Sequence, residues 1–323
     1  MQPSQENMSK DTSTREFTVE RLTKEGLKDL ESLYGEVYGR SAPKDYFTIK
    51  YNSEYTGHEF LGFIAYNKDR IPVAYYGVIP CFLQCGGEKI IAAQSADTMT
   101  HPEFRYKGMF VELSNITFDL CKQVGIRLIF GFPNQNSYHG AVHKLGWKMT
   151  DTMECFIIPV NTLPVARLSL KTKATSFLYQ SYRQRIIGKY KRSEGLIPNS
   201  VINDGFCGLH RNIDYEQTKN YHQRAVLKFE GGTAWCKISD ELTIGDLNIV
   251  QCEFESLIRE LKAMAAKLGI RQMQFHTSTG TSLHALFAAK YQAIPSFPVL
   301  FQQFDEQINI SNIKFTLADI DIF

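Results

Sequence analysis

The stretch THPEFRYKGMF, residues 100–110, decides the fold. It follows a run of strand-forming residues, KIIAAQSADTMT (89–100), and leads into FVELSNITFDLCKQVG (110–125), whose apolar residues recur at helical spacing. Between them stand His101-Pro102, then Arg105, Lys107 and Gly108. A helix that begins directly after such a loop leaves its first N–H groups without intrahelical acceptors, and with the helix dipole they attract anions. Glycine at 108 lets a ligand approach the backbone with no Cβ in the way, and the two cations add charge to the same rim. The junction has the chemistry of a diphosphate site.

Working outward, EFLGFIAY, IPVAYYGVIPCFLQ and KIIAAQSADTMT read as three antiparallel strands joined by the turns NKDR and CGGE. Before them come a strand, FTVERL (17–22), a helix, LKDLESLYGEVYG (27–39), and a short helix in DYFTIKYN (45–52). After the loop helix come a strand, RLIFGF (127–132), a helix, NSYHGAVHKLG (136–146), and a strand, WKMTDTMECFIIPV (147–160). The helix between residues 100 and 127 is a crossover linking two parallel strands, so the sheet is mixed.

From Arg167 to Arg192 there are eight basic residues and no acidic one. This reads as a solvated helical connector over 161–204, with a rim for an anionic substrate or the cofactor's phosphates as the sharper alternative and membrane-surface or RNA contact as the third. The pattern resumes at 205. A hairpin (TAWCKIS, LTIGDLNIV) is followed by a strongly amphipathic helix, EFESLIRELKAMAAKLG (253–269), the strand RQMQFHTS, the helix TSLHALFAAKY and the strand FPVLFQQF. GIRLIFGFPNQNS (125–137) and GIRQMQFHTSTGT (269–281) occupy equivalent places, which indicates a diverged internal duplication. The second copy has Asp246 where the first has its cations, so it is not expected to bind the same ligand.

The chain of 323 residues suits two domains, and its 43 % apolar content gives each a core. A formal charge of +2 disfavours nucleic acid as a partner. No apolar run is long enough to span a bilayer. The opening residues, 1–16, are polar, lack the apolar centre of a secretory signal and are expected to be a disordered lead-in. Seven cysteines without a zinc-type pair are read as reduced, buried thiols of a cytoplasmic protein, with no metal. GxxxxGK[ST] and GxGxxG are both absent, which removes the common nucleotide loops.

HPEFRYKGMF resembles the acyl-CoA-binding loop of the GNAT superfamily of N-acyltransferases, Arg/Gln-x-x-Gly-x-Gly/Ala. Arg105, Gly108 and Phe110 fall on its positions, Phe110 replacing a small residue. IFGFPNQNSYHGAVHKLGW resembles the family's second block, ending in Lys144 to Trp147. The resemblance covers 17–160 directly and 205–323 by internal analogy. It implies an α/β fold of two GNAT-like domains, each a mixed sheet flanked by helices, the second degenerate.

By the same resemblance, the acyl-CoA site comprises Met99 and Thr100 on the fourth strand, then Arg105, Tyr106, Lys107, Gly108, Met109 and Phe110, with Asn134 and Asn136 at the next helix. Plain N-capping is the other reading of those asparagines. The implied reaction is direct attack of a small-molecule amine on the acetyl group of acetyl-CoA. Asp97, in the apolar context AAQSADTMT, is the candidate base, with structural hydrogen bonding as its alternative role. The family's acid tyrosine is Val142 here, and Tyr138, one turn earlier, is the candidate substitute, with His139, His143 or water as the alternatives. An amino sugar or nucleotide sugar is the expected acceptor. A non-catalytic acyl-CoA sensor and a Fem-type aminoacyl transferase are the competing classes; the first would bind acetyl-CoA without turnover, and the second would not need the loop.

Overall fold

The computed structural model describes residues 16–169, 173–190, 197–219, 224–249 and 253–323. The expected lead-in, apart from residue 16, and the basic positions 171, 191 and 192 lie outside them. The first half runs β1 (Thr18–Arg21), α1 (Leu27–Tyr38), α2 (Tyr46–Lys50), β2 (Leu61–Tyr66), β3 (Pro72–Cys85), β4 (Glu88–Thr100), α3 (Met109–Gln123), β5 (Leu128–Gly131), α4 (Gln135–His139, prolonged by a π-type turn Gly140–Lys144) and β6 (Lys148–Pro159). The connector holds α5 (Val165–Ser169), α6 (Lys173–Gly188) and α7 (Ser200–Asn203). The second half adds β7 (Gly208–Leu209), α8 (Ile213–Gln217), β8 (Arg224–Phe229), β9 (Gly232–Ile238), β10 (Leu242–Ile249), α9 (Phe254–Lys267), β11 (Gln272–Thr277), α10 (Ser282–Ala288) and β12 (Ala293–Gln303).

Strand alternation sorts the first half into two apolar layers. Leu61 and Ala65 of β2 pack with Met109, Leu113 and Phe118 of α3. Ile64 and Tyr66 face the other way, against Leu27, Leu30 and Leu33 of α1 and Phe47 of α2. Tyr75 of β3 joins this second layer by lying across glycines. A Cβ on Gly77 would sit 1.9 Å from its hydroxyl, and one on Gly62 2.8 Å. Gly77→Ala is therefore expected to cost about 1–3 kcal/mol as an overpacking change. Urea unfolding checks this, and an unchanged midpoint would mean that the Tyr75 ring moves aside freely.

The two expected mixed sheets are joined into one, in the order β1-β2-β3-β4-β5-β12-β6-β11-β10-β9-β8, with β7 pairing β3. The join is an exchange. β12 from the second half lies antiparallel to β5, with Phe301 opposite Phe130. β6 from the first half lies antiparallel to β11, with Phe156 opposite Phe275. β6 and β12 pair with each other at the centre.

Each half has a strand that bulges and then leaves its parallel neighbour. β4 carries one extra residue against β3, between Ala96 and Met99, and Asp97 there takes a left-handed φ of 50°. β10 does the same against β9 between Ile244 and Asp246. Such bulges re-aim side chains and end pairing. In the second half the opening beyond β10 and β11 is filled by the chain itself. Thr316 bridges to Thr277, the Ser278 N–H donates to the Phe315 carbonyl, and the Phe323 ring lies on Gly245. Asp246 is fully buried there, ion-paired to Arg211, which also holds Asp319 at 2.8 Å.

The cysteine expectation needs correction at one pair. Leu83 pairs with Leu209 and Gln84 with Gly208, so the next rung sets Cys85 opposite Cys207, and the two form a disulfide. Sequence could not show this because the rung joins residues 122 apart. Cys81, Cys121, Cys155 and Cys236 are free and buried; Cys252 lies outside the described residues. No helix of the described residues is long and apolar enough to cross a membrane.

Candidate functional site

The loop before α3 is built as its composition implies. A short 3-10 turn, Pro102–Phe104, follows His101, whose Nδ1 accepts the Glu103 N–H at 3.3 Å. The chain then passes Tyr106, fully exposed and at a φ of 66°. Gly108 is the residue before α3, at a φ of 83°, and it offers no side-chain cap. The N–H groups of Tyr106, Lys107, Gly108, Met109 and Phe110 have no acceptor among the described residues. Five free donors at the positive end of a 15-residue helix make an anion site.

The two cations divide. Lys107 turns away, paired to Glu16 at 2.9 Å and lying over the Phe17 and Phe104 rings. Arg105 touches only the Thr100 carbonyl, at 3.5 Å, and has no carboxylate partner among the described residues. One cation is left for a ligand's phosphates.

β4 and β5 pair at only two rungs, Ala93 with Ile129 and Gln94 with Phe130. Beyond them Ser95–Thr100 face an opening on the β5 side, although Met99 and Thr100 still pair with β3 on the other. The Trp147 ring and Ser95 both lie within 3.5 Å of where a Cβ on Gly131 would stand. The Tyr76 hydroxyl reaches Ser95 at 3.1 Å. Phe110, the departure from the small residue of the motif, spans from α3 to α4. Its ring packs on Gly140 and edge-on to Tyr76, narrowing the opening from the α3 side. Met109 is buried beneath the loop.

Asn134 caps α4, its Oδ1 accepting from the N–H groups of Asn136 at 2.9 Å and Ser137 at 3.2 Å, so the capping role holds. Asn136 is exposed. The Tyr138 hydroxyl meets only the Met149 sulfur, at 3.3 Å.

Asp97 belongs to the opposite face of the sheet. Its carboxylate accepts from Lys50 Nζ at 2.8 Å and from the Tyr51 hydroxyl at 3.1 Å. Lys50 is 1 % exposed and also donates to Asp321 at 2.7 Å and to Tyr46 at 2.9 Å. Gln94 donates to the other oxygen of Asp321 at 3.2 Å. Burial pushes the Asp97 carboxyl above its ordinary value, with Lys50 opposing and Asp321 adding to the rise. Burial acts in the same direction on Asp321, but Lys50 outweighs it and holds that carboxyl low.

Asp97 and Tyr138 therefore do not meet: one packs with α2, the other with the α3 layer. Sequence reading missed Lys50 and Asp321. A signal existed for the first, because Phe47, Lys50 and Tyr51 share one helical face that is otherwise apolar. Nothing local marks Asp321.

A small cavity of about 20 Å³, room for a single water, lies beside this cluster, between the two halves. Lys50, Tyr55 and Gln94 line it from the first half, and Tyr215, Lys219 and Asp321 from the second. Burial, reinforced by Arg224, lowers the Lys219 ammonium well below its ordinary value.

Residues 18–150 match the family model described as an acetyltransferase (GNAT) domain. Among solved structures, a conserved protein of unknown function from Enterococcus faecalis aligns over 90 % of this chain and 73 % of its own, at 13 % identity and a TM-score of 0.60. GCN5-related N-acetyltransferases from Kribbella flavida and Anabaena variabilis each align over 90 % of this chain, covering 72 % and 73 % of theirs, at 14 % identity and a TM-score of 0.56. No curated protein matches by sequence.

Proposed function

We propose, from the premise that residues 18–150 are an acetyltransferase domain of the GNAT family, that the chain transfers the acetyl group of acetyl-CoA to the primary amine of a small molecule. The observation that carries this reading is the row of five N–H groups from 106 to 110 that have no acceptor among the described residues, beside Arg105, which has no carboxylate partner among them, at the mouth of the β4–β5 opening. The diphosphate of the donor would sit on that row, and the pantetheine arm would run along Met99 and Thr100. Phe110 and the side chain of Asn136 would border it.

The amine nitrogen attacks the acetyl carbonyl carbon and the carbon–sulfur bond breaks. An N–H of the β4 bulge polarises the carbonyl oxygen. Asp97 accepts the proton the amine loses through water, since its carboxylate lies on the opposite face of the sheet from Tyr138 and is held there by Lys50. Its raised pKa suits it to that task, and turnover should rise with pH as the carboxyl ionises. Tyr138 is the proposed donor to the leaving thiolate. Its hydroxyl is held only by a thioether sulfur, a weak partner that it can leave. Amino sugars or their nucleotide-linked forms are the class to try first.

Calorimetric titration with acetyl-CoA tests the donor site, and release of the CoA thiol with a panel of amines tests transfer. Asp97→Asn is expected to lower turnover by about 10²–10⁴-fold with acetyl-CoA affinity nearly unchanged. Unaltered turnover would leave Asp97 a purely structural residue, tied to Lys50.

A further inference from the structure

The connector between the halves carries an unused surface. Among the described residues, exposed large apolar side chains crowd into one short span. Leu163 is 76 % exposed, Phe177 70 %, Leu178 69 % and Leu168 51 %. Leu163 lies just before α5, Leu168 in α5, and Phe177 and Leu178 in α6. The α5 backbone is tied to the end of α9 by Ala166 N–H to the Gly269 carbonyl at 3.3 Å. α6 is tied to the same end by the hydroxyls of Tyr179 and Tyr182, each 2.8 Å from the carbonyls of Leu268 and Lys267. The inner side of α6 is buried through Tyr179 and Ile186, so Phe177 and Leu178 stand on its outer side.

The cations around these side chains lack partners. Arg167, Arg185, Lys189, Lys267 and Arg271 are all exposed, and none forms an ion pair among the described residues. No Asp or Glu occurs from 161 to 193. Asp240, in the β9–β10 turn, acts on Tyr179, on the inner side of the helix.

We propose that this face, α5 and the outer side of α6 with the end of α9, docks on an anionic lipid surface, Phe177 and Leu178 entering the headgroup boundary and the cations meeting lipid phosphates. Protruding apolar side chains with exposed cations on the same and adjoining elements, on a helix too polar to span, are what an interfacial contact needs. A second copy of the chain fits poorly, since a two-fold contact would set the same cations against each other. Nucleic acid would engage the cations but would leave the aliphatic side chains of Leu163, Leu168 and Leu178 without partners.

Flotation of the full chain with vesicles tests this. Phosphatidylcholine alone is compared with an equimolar mixture of phosphatidylcholine and phosphatidylglycerol, at about 0.1 M and about 1 M NaCl. Expected is at least a tenfold preference, on the order of a few neutralised cations, for the anionic vesicles at low salt. Phe177→Ser with Leu178→Ser should remove binding, and so should Arg185→Gln with Lys189→Gln. All these positions are exposed, so the fold should persist, and unchanged circular dichroism verifies it.

Equal binding to both vesicles, binding to neither, or anionic binding that survives the double serine change would each overturn the proposal. A dimer seen by light scattering and dispersed by the serine change would also overturn it, assigning the face to a second copy.

Discussion

Acetyl-CoA binding is expected to fall by at least a hundredfold when Gly108 becomes Glu, with the melting temperature shifted by no more than a few degrees. Three observations set the size of the effect. Gly108 holds a φ of 83°, where a side chain costs about 1–2 kcal/mol of backbone strain. A Cβ there meets nothing within 4 Å, so the fold itself is not crowded. A carboxylate would stand among five N–H groups that have no other acceptor among the described residues, competing with the diphosphate and repelling it. Losing the phosphate contacts and adding like charge is worth roughly 3 kcal/mol or more, at about 1.4 kcal/mol per factor of ten. Gly108→Ala separates the causes, since it brings the strain without the charge and should cost about tenfold. Calorimetric titration of the three proteins reads both effects. Retained binding in the Glu variant would remove the loop from the donor site altogether.

The largest stability effect is expected at Lys50. Replacing it with Met leaves the carboxylates of Asp97 and Asp321 in a buried site without their shared cation. Breaking a buried pair from one side costs about 3–5 kcal/mol, and here one ammonium serves two acids. The loss should depend on pH. Without Lys50, burial and the neighbouring Asp321 raise the Asp97 carboxyl further above its unfolded value of about 4, while Asp321 keeps the opposing pull of Lys219. A group whose folded pKa is raised contributes stability that is intact below its unfolded pKa and is lost as pH rises through the folded one. Lys50→Met should therefore melt closest to the parent near pH 4–5 and diverge from it towards pH 8, by roughly the same few kcal/mol. A gap independent of pH would mean that the carboxylates find water or another partner when Lys50 is gone.

Local chemistry made much of the first half legible. The loop at 105–110, the glycine before α3 and the three hairpin strands follow from residue types and spacing, and Gly39 and Gly125 end or follow their helices at φ values of 65° and 84°. The site was legible only where it depends on one segment. Arg105 and Gly108 could be read from a ten-residue window. The fate of Lys107 could not, because its partner, Glu16, is 91 residues earlier. Asp97 was read as an acid on an apolar strand, but the bulge that re-aims it depends on β3, and its cation comes from α2. The strand exchange was illegible for the same reason. β6 and β12 carry no mark that says which half each will join, since either edge offers the same apolar antiparallel partner. The order of elements was readable, and their adjacency across the sheet was not.

The exchange of β6 and β12 also sets a schedule for synthesis. Once Phe130 has left the ribosome, the outer edge of β5 must wait for Phe301, and β6 waits for both of its neighbours. At roughly 5–20 residues per second, the interval is on the order of 10–35 s. For that time the nascent chain presents two unpaired, apolar strand edges, which is when pairing with a wrong chain is easiest. Slow translation between these two strands would lengthen this exposure, so the yield of native protein should be governed less by final stability than by how quickly residues 131–301 are made.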